Sequence, residues 1–445
     1  MKEPDGRAAP RAEASTSGVA QAPKYAGAPD NSGEAVLRRT STVESPHGSP
    51  PKKKRRRKRR RKKHAASAIP PVFHADQLPN TEPQHKAPEK THRNTHQQAR
   101  LGGRGLYAAL DLGTNNCRLL IATPTKPGQF RVVDAFSRIV RLGEGLGHSG
   151  RLSEHAMQRA LEALAICSDK LGNKSLRKAR LIATEACRSA DNGSDFLDEV
   201  KHRTGLELEV VDRETEARLA VSGCGSLVDW TAKSTVLFDI GGGSSEIAVI
   251  SLDERKPRRL ADAIVDWTSL PVGVVSMSEK FGGKHVDPDL FAQMKAYAGD
   301  LLAEFAEKHG GIGKDDNSFH LIGTSGTVTT LAGIHLDLPR YDRRRVDGLW
   351  INSRQGSDIN DRILGWSFEQ RKANVCIGAD RADLVLAGCA ILEAIRDAWP
   401  AKRLRVADRG LREGLLTEMM SDDGVWKGRR RRRRHRPNPN GQTPQ

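Results

Sequence analysis

An α/β fold built twice around a cleft is what this 445-residue chain predicts, and two observations carry the prediction. Strand-like apolar runs alternate with helix-like ones through the middle of the sequence, the pattern of an α/β architecture. Two similar turns, Asp111-Leu112-Gly113-Thr114-Asn115-Asn116 and Asp239-Ile240-Gly241-Gly242-Gly243-Ser244-Ser245-Glu246, each sit between two apolar runs and lie 128 residues apart. Each half therefore opens with the same device: strand, aspartate, tight turn, strand.

In chain order, the first hairpin uses strands over 106–110 and 117–122, and a strand over 129–140 follows it. Ser153 caps a helix that runs to about Leu171, because a serine just before an apolar-periodic run satisfies free helix-start N–H groups. A short strand over 181–184, a helix over 194–203, a strand over 206–211 and a helix over 214–222 complete the first half. The second half restarts with strands over 236–238 and 247–250, then a strand over 263–270 and a long amphipathic helix over 287–308. A strand over 320–322, a helix starting at 326–333, a helix over 382–399, a strand over 404–406 and a last helix over 411–420 finish the body.

Charge separates this body from its ends. The formal net charge is +18, yet residues 52–63 are twelve consecutive Lys/Arg and 427–436 hold eight more, so the remainder is near −2. The basic character belongs to two appendages, and the body is near neutral. Low apolar periodicity with much Pro, Ser, His and charge predicts a disordered arm over 1–104 and a disordered Arg-rich tail over 421–445. The expected domains between them are 105–233 and 234–420. Neither end carries an apolar stretch long enough for a signal peptide or membrane span, and six scattered cysteines without a CxxC read as reduced core residues. The expectation is a cytoplasmic protein with no zinc site and no membrane partner.

The turn chemistry points to phosphate. Glycine admits positive φ and lets a ligand approach closely, so successive N–H groups at Gly113, Gly241, Gly242 and Gly243 can converge on phosphate oxygens. Thr114, Asn115, Asn116 and Ser244 add side-chain donors. Asp111 and Asp239, at the ends of their strands, supply the hard carboxylate oxygens that suit Mg²⁺ held jointly with waters and substrate phosphates. A third turn, from Gly323 through Ser325 to Thr327, leaves a strand and enters a helix, a place where an anion or a nucleotide sugar can sit.

Six segments in this order resemble the exopolyphosphatase/guanosine pentaphosphate phosphohydrolase (Ppx/GppA) family of bacteria: Ala108-Ala-Leu-Asp-Leu-Gly-Thr-Asn-Asn, Ala183-Thr-Glu-Ala-Cys-Arg-Ser-Ala-Asp-Asn192, Glu214-Thr-Glu-Ala-Arg218, Phe238-Asp-Ile-Gly-Gly-Gly-Ser-Ser-Glu246, Gly323-Thr-Ser-Gly-Thr327 and Arg409-Gly-Leu-Arg-Glu-Gly-Leu-Leu416. The resemblance covers about 105–418. It implies an actin-like, ribonuclease-H-like duplicated fold with the active site in the interdomain cleft, and Mg²⁺-dependent removal of a terminal phosphate from inorganic polyphosphate or guanosine pentaphosphate. It also implies Glu216 as the base, Asp239, Gly241 and Gly242 as the second phosphate loop, Glu246 as an acidic residue near the metal, and Arg188 as a conserved-motif arginine. By itself Glu216 reads as a surface glutamate opening a helix, where negative charge suits the dipole. Arg188 reads as a partner of the scissile phosphate, a partner of Glu216, or a structural ion pair. Long family members continue into extra helical domains, and this chain resembles the short form. Family members often dimerise, so a homodimer belongs to the expectation.

The basic arms attract any polyanion, which makes polyphosphate or RNA their expected partner. Two other classes compete with the phosphatase: a polyanion-binding regulatory protein with a silent body, and an actin-like kinase or ATPase.

Overall fold

The computed structural model describes residues 105–253, 257, 259–312 and 318–426; the arm over 1–104 and the tail beyond 426 lie outside them. The first half contains β1 (Leu106–Leu112), β2 (Asn116–Pro124), β3 (Phe130–Ile139), α1 (Leu146–Ser149), α2 (Glu154–Gly172), β4 (Leu176–Ala183), α3 (Glu185–Ser189), α4 (Gly193–Thr204), β5 (Glu209–Val210) and α5 (Arg213–Cys224). The second contains β6 (Ser234–Ile240), β7 (Ser245–Ser251), β8 (Ile264–Leu270), α6 (Val274–Phe281), α7 (Pro288–Lys308), β9 (Phe319–Thr324), α8 (Gly326–His335), α9 (Arg343–Val346), β10 (Trp350–Asn352), α10 (Ser353–Leu364), α11 (Phe368–Ala373), α12 (Val385–Ala398), β11 (Arg403–Ala407) and α13 (Leu411–Asp422).

The sheets repeat each other. The first runs β3-β2-β1-β4-β5 and the second β10-β11-β9-β6-β7-β8, so β8-β7-β6-β9-β11 copies the first order and β10 is an added antiparallel edge. In each, an antiparallel hairpin is followed by a strand parallel to its first member, β4 beside β1 and β9 beside β6.

Strand alternation decides which side chains meet across the molecule. In β1, Ala108, Leu110 and Leu112 join a core with Leu161 and Leu164 of α2 and Phe196 of α4, while Tyr107 and Ala109 face the opposite way. In β6, Val236, Phe238 and Ile240 join a core with Phe291 of α7 and Ile391 of α12, while Leu237 faces the opposite way. The two opposite faces share a third, central core built on α5 and α13. Asp111 and Asp239 fall on that central parity, at the last positions before the turns. One period-2 rule thus aims both carboxylates at the middle of the molecule.

Several elements differ from the sequence reading. The strand expected over 206–211 is reduced to Glu209–Val210, and β4 begins at Leu176 instead of 181, its early residues carrying exposed Arg and Lys that hide the strand pattern. Helices α6, α10 and α11 fall in stretches where no element was expected. The last helix passes the expected boundary at 420: α13 reaches Asp422, the Tyr107 hydroxyl donates to Asp423 (2.7 Å), and Arg177 Nε donates to it as well (2.7 Å). Residues 421–426 therefore belong to the folded body, and α13 packs on α5 and β1 although it follows the second sheet. All six cysteines are buried and unpaired. Among the described residues no helix is long and apolar enough to cross a membrane.

Candidate phosphate site

The two hairpins have one geometry. Gly113 N–H donates to Asn116 O (2.9 Å) and Gly241 N–H to Ser244 O (2.9 Å), closing four-residue loops between Leu112 and Cys117 and between Ile240 and Ser245. The loop carbonyls are tied from behind. Asn115 O accepts from Val140 and Arg141 and Thr114 O from Gly143; Gly241 O accepts from Val274 and Gly242 O from Val275, at the start of α6. The N–H groups of Thr114, Asn115, Gly242 and Gly243 have no acceptor among the described residues. They lie on one cavity, as do Asp111, Gly113, Asn116, Asp239, Gly241, Ser244 and Ser325. Converging unpaired N–H groups are what an anion cradle requires.

Glycine serves these loops differently from the sequence expectation. None of Gly113, Gly241, Gly242 or Gly243 has a positive φ. Their need is close approach: a Cβ on Gly242 would lie 2.8 Å from Thr114 Cβ, and one on Gly241 2.8 Å from Ser244 O. The Thr114 side chain is wedged between the lobes, its methyl 2.3 Å from where a Gly143 Cβ would stand. The left-handed residue at the site is Ser325, at φ 96°, a conformation that favours glycine; its hydroxyl is buried without a partner, as is Asn115 Oδ1. Gly323 lies outside the cavity, inside β9, where a Cβ would meet the Phe238 ring at 2.6 Å.

Five carboxylates line the same cavity: Asp111, Asp239, Glu216, Glu246 and Glu185. Burial pushes Asp239 up to about 7, helped by the charges of Glu246 and Asp111 and opposed by Arg118. Asp111 is raised by burial, with Arg118 and Arg412 pulling it back. Burial and the charges of Glu246 and Asp111 hold Glu216 well above the usual range, although Arg188 opposes them. Glu246 is raised by burial, while the hydroxyls of Ser244 (2.6 Å) and Ser269 (3.0 Å) donate to its Oε1 and work the other way. Mutual repulsion of this kind is relieved by a cation.

Glu216 reaches the cavity from the first turn of α5, whose start is capped by Asp212 accepting from Thr215 N (2.7 Å). Arg188 stands behind it, outside the cavity lining, donating to Glu216 Oε2 (3.1 Å), Glu185 Oε2 (2.5 Å) and Val211 O (2.6 Å). Burial works to raise Glu185, but hydrogen bonds from Arg213, Ser189 and Arg188 outweigh it and hold that carboxyl ionised. Of the sequence candidates, all but Arg188 and Gly323 line the cavity.

Sequence reasoning missed the cations. A second chamber of about 470 Å³ adjoins the first and shares Asp111, Arg118, Asp239, Ser325, Gly326, Arg381 and Leu411 with it. Arg118 of β2 and Arg381 of the turn before α12 line both chambers and Arg412 of α13 lines the second, and none of the three guanidiniums makes a hydrogen bond or ion pair among the described residues. Unpaired guanidiniums facing a cavity are suited to phosphate oxygens. One signal could have found Arg118. It pairs across the hairpin with Asp111 as Glu246 pairs with Asp239, both seven positions downstream.

A duplicated α/β body with a candidate anion site between its halves defines a class of proteins, and comparison narrows it. Residues 121–423 match the Ppx/GppA phosphatase family, and the chain belongs to that family. It is 28% identical over 322 residues to the guanosine-5'-triphosphate,3'-diphosphate pyrophosphatase of Aeromonas salmonicida, covering 72% of this chain and 60% of that one. The protein of the same name from Photobacterium profundum is 29% identical over 317 residues, covering 71% and 59%. The chain thus spans about 60% of the length of these curated relatives. Among solved structures, the Aquifex aeolicus Ppx/GppA family member aligns with a TM-score of 0.58 at 27% identity, over 72% of this chain and 99% of that one. The exopolyphosphatase of Cytophaga hutchinsonii shares the fold, with a TM-score of 0.63 at 23% identity over 71% of this chain and 98% of that one.

Proposed function

We propose that this protein hydrolyses a terminal phosphoanhydride, of inorganic polyphosphate or of guanosine pentaphosphate, with Glu216 as the general base. The supporting observation is the meeting of both hairpins at one cavity, which combines unpaired N–H groups, five carboxylates and unpaired arginines. Phosphoryl transfer to water asks the protein for positioning and charge neutralisation more than covalent chemistry. The cradle N–H groups and Arg118 would take the phosphate oxygens. Glu216, steadied by Arg188 through one oxygen, keeps the other for a water proton. Membership of the family and the activity printed in the names of its relatives favour the same reading.

The donor set also fits Mg²⁺. Asp111 and Asp239 offer hard oxygens beside the cradle and Asn115 Oδ1 lacks a donor, while no three acidic, His or Cys side chains among the described residues form a ready metal cluster. Mg²⁺ commonly takes one or two carboxylates and completes its shell with water and substrate phosphates. Asp111 and Asp239 would hold it, with Glu246 orienting its waters. The ion supplies further neutralisation of the phosphate charge when bound.

The two basic runs, outside the described residues, would hold polyanionic substrate near the cleft. Phosphate release from polyphosphate, guanosine pentaphosphate and ATP, measured side by side with and without Mg²⁺, tests the whole reading. Release from the first or second in the presence of Mg²⁺ is expected; release from ATP alone would replace it with an ATPase.

A further inference from the structure

We infer that Arg141 is the cross-cleft positioning residue of this site: it ties the first phosphate loop to the turn that carries Arg381. The inference rests on the phosphate-hydrolase reading above.

Arg141 follows β3 and is held at φ 46°, in the left-handed region that a long side chain rarely adopts. Such a conformation persists where the surroundings over-determine it. Here they do so from both lobes. On its own side, Arg141 N–H donates to Asn115 O (3.1 Å) beside the bond from Val140 (2.9 Å), and Arg159 holds the Val140 and Arg141 carbonyls (2.9 and 3.2 Å). Across the cleft, its guanidinium grips both carboxylate oxygens of Asp383 (3.0 and 3.0 Å) and donates to Asp380 O (2.9 Å).

Arg381 stands between those two anchors, with its own guanidinium free in the cavity. One residue therefore touches Asn115, which offers the cradle an N–H, and the turn that offers a cation from the opposite wall. The distance between these walls sets where a phosphate can be held. A nearby second tie, Gly145 N–H to Glu279 Oε1 (2.8 Å), joins the same segment to α6. The bidentate fork is specific to arginine, since lysine offers a single point charge.

The left-handed φ makes a clean test available, because Arg141→Gly accepts the backbone and deletes only the tie. Amide hydrogen exchange over 113–116 and 379–384, without substrate, is expected to quicken in Arg141→Gly and in Asp383→Asn, with the unfolding midpoint in urea unchanged. In kinetics, KM is expected to rise about 10-fold or more and kcat to fall less, because a displaced Arg381 loses a charge-assisted contact to phosphate, which is worth about that order. Arg141→Lys should resemble Arg141→Gly, and the exchanged pair Arg141→Asp with Asp383→Arg should restore most of the KM. The double variant Arg141→Gly with Asp383→Asn should be no worse than either single one. Unchanged exchange in Arg141→Gly overturns the inference whatever the activity. Quickened exchange in a protein that releases phosphate from no substrate leaves the tie standing and removes the functional reading instead.

Discussion

The two hairpins are copies in backbone and opposites in charge. Both close with the same Gly N–H bond, both carry an aspartate on the central face one residue before the end of their first strand, and both pair that aspartate with the residue seven positions on. Burial raises both aspartates; in the first hairpin the paired residue is Arg118, which opposes the rise of Asp111, and in the second it is Glu246, which adds to the rise of Asp239. A duplicated fold supplies the turn twice, and one divergent position per copy sets a cation across from Asp111 in the first hairpin and a second acid across from Asp239 in the other.

The largest effect is expected at Glu216, which the carboxylates of both hairpins push upward. Glu216→Gln should lower kcat by about 10²- to 10⁴-fold with KM nearly kept, and should remove the rising limb of the pH profile. Steady-state phosphate release would measure this, and a kcat within a few-fold of wild type would exclude Glu216 as base. Next, Arg118→Glu makes the two hairpins alike; it should weaken substrate binding by about 10- to 100-fold, the usual worth of a charged hydrogen bond. An unchanged KM would show that the charge asymmetry does not act on substrate.

The glycines break the symmetry in another way. A Cβ on Gly242 would press on Thr114 at 2.8 Å, whereas one on Gly113 would meet nothing nearer than 3.6 Å. Gly242→Ala should therefore cost about 1–3 kcal/mol of stability by overpacking. Gly113→Ala should be neutral or stabilising by about 0.5 kcal/mol. Urea unfolding of the two variants compares them directly, and equal midpoints would refute the packing argument.

A further expectation is a pH dependence. The folded state keeps a proton on Asp239 that the unfolded chain releases, so this contribution to stability is full below about 3.8 and lost as the pH rises to about 7. Asp239→Asn, measured in chelator, should melt above wild type at pH 8 and close to it at pH 4. A gap that does not grow with pH would mean that Asp239 is not held protonated.

Much of the site was legible because its motifs are local. Asp111, Asp239 and Glu246 are fixed by turn position and strand parity, and Ser325 by its strand-to-helix turn. Glu216 needed the family resemblance, since a glutamate opening a helix has an ordinary electrostatic reason to be there. Arg381 was not legible, because it lies in a segment with no chemical signature, and Arg412, although inside the Arg409–Leu416 segment, sits at no turn or strand position that marks a role; each reaches the cavity only through tertiary packing. Gly323 misled for the converse reason: it looks like part of a phosphate turn, yet it is needed where β9 meets the Phe238 ring.

Sequence alone determined the duplication, the α/β class and the identity of the acidic residues, because hydrophobic period and turn chemistry act over a few neighbours. The tertiary structure decided which of these residues share a cavity, why the loop glycines are needed, and which arginines stay unpaired. Those are properties of surfaces brought together from residues up to hundreds of positions apart, by the return of α13 to the first sheet and the grip of Arg141 on Asp383. No local pattern encodes a distance across a cleft; packing of the two halves sets it.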